Sequence, residues 1–220
     1  MIPNAFDPDF DELPNSLPIF PLAGALLLPG QQLPLNIFEP RYLEMVFDAL
    51  AADRMIGMVQ PRVGTERDAA PRVYDVGCAG RIAMFNETDD GRVLISLRGV
   101  CRYRVAHEIE SMRSYRCVQP DWTGFEADLD PGDASGLVFP ALRMLVEGHL
   151  RSKGLEIRWD QLERLPTDDA LDFLCINAPF EPGEKQALLE APTPAARAEV
   201  LKAVVQFDAA GGEPGNAARH

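Results

Sequence analysis

Gly91-Arg92-Val93-Leu94-Ile95-Ser96-Leu97-Arg98-Gly99-Val100-Cys101-Arg102-Tyr103-Arg104-Val105 carries a two-residue alternation along most of its length. Val93, Ile95, Leu97, Cys101, Tyr103 and Val105 share one parity, while Arg92, Ser96, Arg98, Arg102 and Arg104 share the other. Successive side chains of a strand point to opposite faces, so this segment sends one face to a core and the other away from it. Asp90-Gly91 just upstream is a turn signal, which makes the strand the second arm of a hairpin.

Further short apolar runs, broken by Pro and Gly, flank that strand at 17–22, 25–28, 33–37, 55–60, 73–85 and 112–120. Each reads as a strand, and Pro29-Gly30 reads as another turn. One helix interrupts the series. Pro40 suits a first helical turn, where the missing N–H has no intrahelical partner to lose. Leu43, Val46, Phe47 and Leu50 then recur at helical spacing and give one apolar stripe, with an end near Asp53.

Beyond residue 132 the period changes. Asp133 is placed to cap a helix bearing Leu137, Val138, Ala141, Leu142, Leu145, Val146 and Leu150, with its end before Gly154. Thr167 is placed to cap a second, with Leu171, Leu174 and Cys175 facing inward. Pro182 opens a third through Leu188-Leu189, and Thr193-Pro194 opens a fourth carrying Leu201, Val204 and Val205. The expected organisation is an acidic flexible leader (1–16), a β-rich subdomain (17–122), a connector (123–132), a helical subdomain (133–208) and a disordered tail (209–220).

The formal charge of −13 arises from 21 Lys+Arg against 34 Asp+Glu, and it disfavours nucleic acid as a partner, since phosphate contacts need clustered cations. The charge is uneven. Residues 1–16 hold four acids and no base, residues 17–120 hold 12 acids and 12 arginines with no lysine, and residues 121–220 hold 18 acids against 9 bases. No apolar run reaches the length of a membrane span, and the early run at 23–28 follows acids, which does not suit a signal peptide. Cys78, Cys101, Cys117 and Cys175 sit singly in apolar segments, as suits reduced thiols and a cytoplasmic location.

No catalytic constellation emerges. The sequence has no GxxxxGK[ST] loop and no GxSxG elbow. Ser152 and Lys153 are helix neighbours that point in different directions, which does not suit a Ser–Lys dyad. His107, His149 and His220 match no zinc-ligand spacing. Asp89-Asp90 and Asp168-Asp169 read as turn formers and first-turn helix residues. Catalytic residues, metal and cofactor are therefore all expected to be none.

A resemblance joins several of these segments. Leu17-Pro18-Ile19-Phe20-Pro21-Leu22, Leu28-Pro29-Gly30 and Leu33-Pro34-Leu35-Asn36-Ile37-Phe38-Glu39-Pro40-Arg41-Tyr42 resemble the opening of the Lon protease amino-terminal (substrate-binding) domain. Asp53-Arg54-Met55-Ile56-Gly57-Met58-Val59, Val76-Gly77-Cys78-Ala79-Gly80-Arg81-Ile82 and the stretch from Gly91 to Val105 resemble its next elements in order, and 180–201 its closing helices. Glu181 stands where the family often has a Ser cap. The resemblance covers about 17–208. It implies an α+β fold, a PUA-like β pseudo-barrel with one helix followed by a C-terminal helical bundle. It also implies a stand-alone substrate-binding domain without ATPase or peptidase modules, whose partners are unfolded or exposed-hydrophobic polypeptide segments or a protease, with self-association as a further possibility and no nucleic acid or membrane.

Candidate polypeptide-binding residues are Leu28, Leu33, Phe38, Arg41, Tyr42, Arg98, Arg102 and Arg104. Each has a plainer alternative. Phe38-Glu39-Pro40-Arg41-Tyr42 equally suits a helix start in which Glu39 meets the N-terminus and Tyr42 packs. Leu26, Leu28, Leu33 and Phe38 equally suit a barrel core. The arginine face of Arg92, Arg98, Arg102 and Arg104, with Arg116 beside it, suits a cationic stacking surface, a solvated sheet face, or pairing with the acidic helical half. The expected function is a non-catalytic polypeptide-recognition or adaptor module. The alternatives are an assembly module with one fixed partner and an enzyme using an inter-subdomain cleft.

Overall fold

Six of the apolar runs become strands in the computed structural model, which describes residues 5–65, 68, 70–129 and 136–209. They are β1 (Leu17–Pro21), β2 (Gln32–Ile37), β3 (Met55–Val59), β4 (Val76–Glu87), β5 (Val93–Ile109) and β6 (Cys117–Asp121). β1 pairs in parallel with β3, and β3–β4, β4–β5, β5–β6 and β6–β1 are antiparallel, so five strands close into a ring. β2 lies outside the ring, antiparallel to the first half of β5. This ring is the expected pseudo-barrel, and the combination of strands and helices makes the fold α+β.

Closure depends on β5 serving two neighbours in succession. Residues 93–98 pair with β2, whereas residues 104–109 pair with β6. Extra residues at Val100 and between Val105 and His107 shift the register there, and such bulges bend and twist a strand. The interior is filled by Leu17, Ile19, Met55, Val59, Ala79, Val100, Cys101, Tyr103 and Val118. Tyr103 is wholly buried. A Cβ on Gly57 would lie 2.5 Å from its hydroxyl, and one on Gly77 2.7 Å, so two glycines make room for one phenol.

Three local expectations change. Residues 25–28 form no strand; Leu26, Leu27 and Leu28 are buried in coil, and the Leu28 carbonyl sits where a Cβ on Gly99 would be. The helix α1 (Pro40–Leu50) buries Tyr42, Met45, Val46 and Ala49 rather than the stripe through Leu43, Phe47 and Leu50. Both stripes have helical spacing, and the Tyr42 ring, 4.1 Å from that of Phe20, turns the helix by one residue. The leader, expected to be flexible, is docked over its described residues. Leu13 is buried in the ring's core with Phe10 packed beside it, and the Trp122 indole N–H donates to the Pro14 carbonyl at 3.1 Å.

The chain divides into two compact units, Met1–Gly132 and Asp133–His220. The second holds α2 (Phe139–Ser152), α3 (Trp159–Leu162), α4 (Thr167–Asn177), α5 (Pro182–Glu190) and α6 (Pro194–Ala209). Asp133 and the tail 210–220 lie outside the described residues, and α3 was not anticipated. Glu181 begins α5 with a capping box in which Glu184 accepts from its backbone N–H at 2.8 Å. Inside the bundle, buried Arg197 donates to Asp172 at 2.6 Å and to the Leu188 carbonyl at 3.1 Å. Burial pushes the Asp172 carboxyl up to about 6 against the pull of Arg197.

Candidate polypeptide-docking surface

The β4–β5 hairpin turns at Thr88–Arg92, where Gly91 takes φ +80° and Thr88 bonds Asp90 and Arg92. That φ is left-handed and favours glycine. Beyond the ring, the hairpin and β2 form a three-stranded extension with rungs Asn36↔Leu94↔Asn86 and Leu35↔Ile95↔Phe85. Val93 and Ile95 are buried, but Leu94, Met84 and Phe85 are not. Phe47 of α1 meets Phe85 edge-on at 6.1 Å and is also exposed. Phe38, 62% exposed, follows the last β2 residue and lies under the Arg92 guanidinium at 6.0 Å. These five apolar side chains lie at one end of the sheet on both of its faces: by the strand pairing Met84 and Leu94 share one face, and Phe85, with Phe47 against it, is on the other. Exposed clusters of this kind, unlike single exposed apolar residues, mark interaction surfaces.

The eight sequence candidates are not brought together. Leu28 and Tyr42 are core residues, and burial raises the Tyr42 phenol. Leu33 is half-buried opposite Leu97. Arg41 is exposed and paired with Glu39 at 2.9 Å, with its guanidinium 4.5 Å over the Tyr42 ring. Arg104 is exposed opposite Asp121. Of the eight, only Phe38 belongs to the apolar cluster.

The arginine face is not one surface. The extra residue at Val100 breaks the alternation between Arg98 and Arg102, and Arg98, Arg102 and Arg116 meet carboxylates from three different segments. Arg102 is 4% exposed at its side chain and holds Asp128 through Nη2 at 2.7 Å and Nε at 2.9 Å, while the Asp128 carboxylate also accepts from its backbone N–H at 2.8 Å. Arg98 meets Asp7 of the leader at 3.0 Å, and Arg81, its cross-strand neighbour, meets the other oxygen of the same carboxylate at 2.9 Å. Arg116 pairs with Glu108. These partners come from the leader, the segment after β6 and β5 itself.

The four thiols are free and buried, and burial raises those of Cys101, Cys117 and Cys175, the last to about 12, away from the thiolate a nucleophile needs. Among the described residues no group of three or more His, Cys, Asp or Glu could hold a metal ion, and no helix is long and apolar enough to cross a membrane. Sequence reasoning missed Met84, Phe85, Leu94, Phe47, Arg81 and Asp7. A readable signal existed for the leader. Asp9 and Glu12 have capping-box spacing before Leu13, and the Asp9 N–H donates to Glu12 at 3.1 Å.

Comparison with known proteins gives a consistent result. The family model for the ATP-dependent protease La (LON) substrate-binding domain matches residues 16–205. "Lon protease 2" of Bdellovibrio bacteriovorus is 30% identical over 112 residues, half of this chain and 14% of that protein. "Lon protease" of Trichlorobacter lovleyi is 31% identical over 114 residues, 49% of this chain and again 14% of the relative. A solved Lon N-terminal domain protein from Xanthomonas campestris superposes with a TM-score of 0.59 at 26% identity, covering 86% of this chain and 97% of that one. The N-terminal domain of a Mycobacterium avium complex Lon protease shares the fold, with a TM-score of 0.61 at 15% identity over 87% of this chain and 98% of that one.

Proposed function

The chain belongs to the Lon substrate-binding domain family, and from that premise we propose that it is a non-catalytic polypeptide-recognition module whose contact surface is the apolar hairpin end of the sheet. The observation that carries this reading is the exposure of Phe38, Phe47, Met84, Phe85 and Leu94 about the two faces of one sheet end, in a unit whose other apolar strand residues are largely buried. Such a surface suits exposed apolar stretches of unfolded chains, held by shallow burial rather than by a formed pocket. Handing captured segments to a proteolytic partner is the role this reading gives the module in a cell. The buried thiols suit the reducing cytoplasm.

Binding of a fluorescently labelled, permanently unfolded polypeptide, followed by anisotropy, tests the reading. The double variant Phe85→Ser, Leu94→Glu is expected to weaken binding by about tenfold or more, because each large apolar side chain buried is worth about 1.5–3 kcal/mol. Its Tm is measured alongside, since the two side chains are only 36% and 37% exposed and Phe85 also packs on Phe47. Unchanged affinity in a folded variant would reject the hairpin end as the contact surface. Binding only to one folded protein would favour an assembly module.

A further inference from the structure

Arg81 and Arg98 stand directly opposite each other on β4 and β5. Like charges in that position repel, and both side chains are largely withdrawn from solvent, at 12% and 16% exposure. Two guanidiniums so placed need an anion between them. Asp7 supplies it, one carboxylate oxygen to each Nε at 2.9 and 3.0 Å. Arg98 is also fixed from behind, since its Nη1 donates to the Gly30 carbonyl at 3.2 Å. The backbone of that loop is tied in turn to Gly99 by the Gly30 N–H and by the Gln31 carbonyl, each at 2.8 Å. The arginine is therefore oriented by the sheet as well as by its ligand.

The residue before Asp7 completes the pattern. Phe6 lies 5.9 Å from the Arg81 guanidinium, within cation–π range, yet is 78% exposed. The leader is anchored elsewhere, by Leu13 in the ring's core and Phe10 packed against it. Phe6-Asp7 is thus a short acidic arm laid across two arginines, on a tether of a few residues from an independent anchor.

We propose that Arg81 and Arg98 form a carboxylate clamp for polypeptide segments in which an aromatic residue precedes an aspartate, and that Asp7 occupies this clamp in cis until such a segment displaces it. The inference rests on the polypeptide-recognition reading for the source of the competing segment. It adds a chemical preference, aromatic then acidic, to a surface otherwise read as apolar. The short tether holds Asp7 at millimolar effective concentration, so segments with one weak contact are excluded and those that also engage the apolar hairpin end compete.

The test uses the full chain and the peptide acetyl-Ala-Phe-Asp-Pro-Asp-amide, which copies residues 5–9. With the internal competitor neutralised in Asp7→Asn, the peptide is expected to bind at least about tenfold tighter than to the parent chain. Binding should fall when Asn replaces the peptide's first aspartate, and when Arg81→Gln or Arg98→Gln is added. Equal affinity for the parent and the Asp7→Asn chain, or indifference to the peptide's aspartate, overturns the clamp. If Asp7→Asn does not fold, NMR of the Arg81 and Arg98 Nε–H groups in the parent chain decides. They should shift with the peptide at millimolar concentration and not with its Asn control, and identical responses to both overturn the proposal. The unfolded-client measurement stays separate. A chain that captures the client but ignores the peptide's aspartate loses only the clamp, whereas one that binds the peptide but not the client loses only the apolar reading.

Discussion

Tyr103 shows most sharply how single residues shape this protein. Its ring fills the barrel against Gly57 and Gly77, yet among the described residues its hydroxyl has no hydrogen-bond partner, and burial drives its ionisation far above the ordinary range. An unsatisfied buried hydroxyl costs about 1–3 kcal/mol. Tyr103→Phe should therefore raise the stability measured by urea denaturation by roughly 1 kcal/mol, with a higher midpoint and an unchanged m-value. Gly77→Ala should lower it by about 1–3 kcal/mol, since the new methyl meets both the phenol and the Met58 carbonyl. A stabilising Gly77→Ala would show that the ring has room to spare. The alternation in 92–105 placed Tyr103 on the core face correctly. The two glycines that accept it lie on other strands and gave no sign of their purpose.

Among the elements, the leader departs furthest from its reading. Four acids, no bases and several small or Pro residues suggested a solvated segment, but Leu13 is only 7% exposed and Asp7 is bound by two arginines. Leu13→Ala should cost about 2–4 kcal/mol of stability in chemical denaturation, as for a core leucine; a leader that merely brushed the surface would cost almost nothing. β5 was legible as a strand and as a hairpin arm, but its reading as a single arginine face ignored the bulge at Val100. One inserted residue reverses which side chains share a face. Helix α1 was legible as a helix, and its buried stripe was not, because two stripes one residue apart were both apolar enough.

At the scale of the whole molecule, charge and proton binding connect distant segments. Asp7 and Asp128 answer arginines of a stretch that is neutral on its own, so part of the flanking acidity serves internal pairing. In the helical unit, buried His149 stacks on Phe180, its Nε2 has no partner among the described residues, and its Nδ1 is 3.7 Å from Asp208, which Lys153 also holds at 3.0 Å. Burial lowers its pKa from 6.5, outweighing Asp208. The unfolded chain therefore binds this proton more readily than the folded one. The stability contributed by neutral His149 is complete above about 6.5 and is lost as pH falls through the lower folded value. Tm measured from pH 7.5 to 5 should decline, and His149→Phe should flatten that decline; an equal slope in the variant would place the acid sensitivity elsewhere. By itself the sequence determined most of the strands and helices, though not the coil at 25–28 or α3, because apolar period, Pro and Gly act over a few neighbouring residues, and the fold class followed from the family resemblance. Only the tertiary structure decided that five strands close into a ring, which α1 stripe is buried, and which carboxylate each arginine takes. Most of those outcomes depend on residues far apart in the chain meeting in space, 26 positions for Arg102 and Asp128 and 91 for Arg98 and Asp7, and on one bulge that resets the register between them.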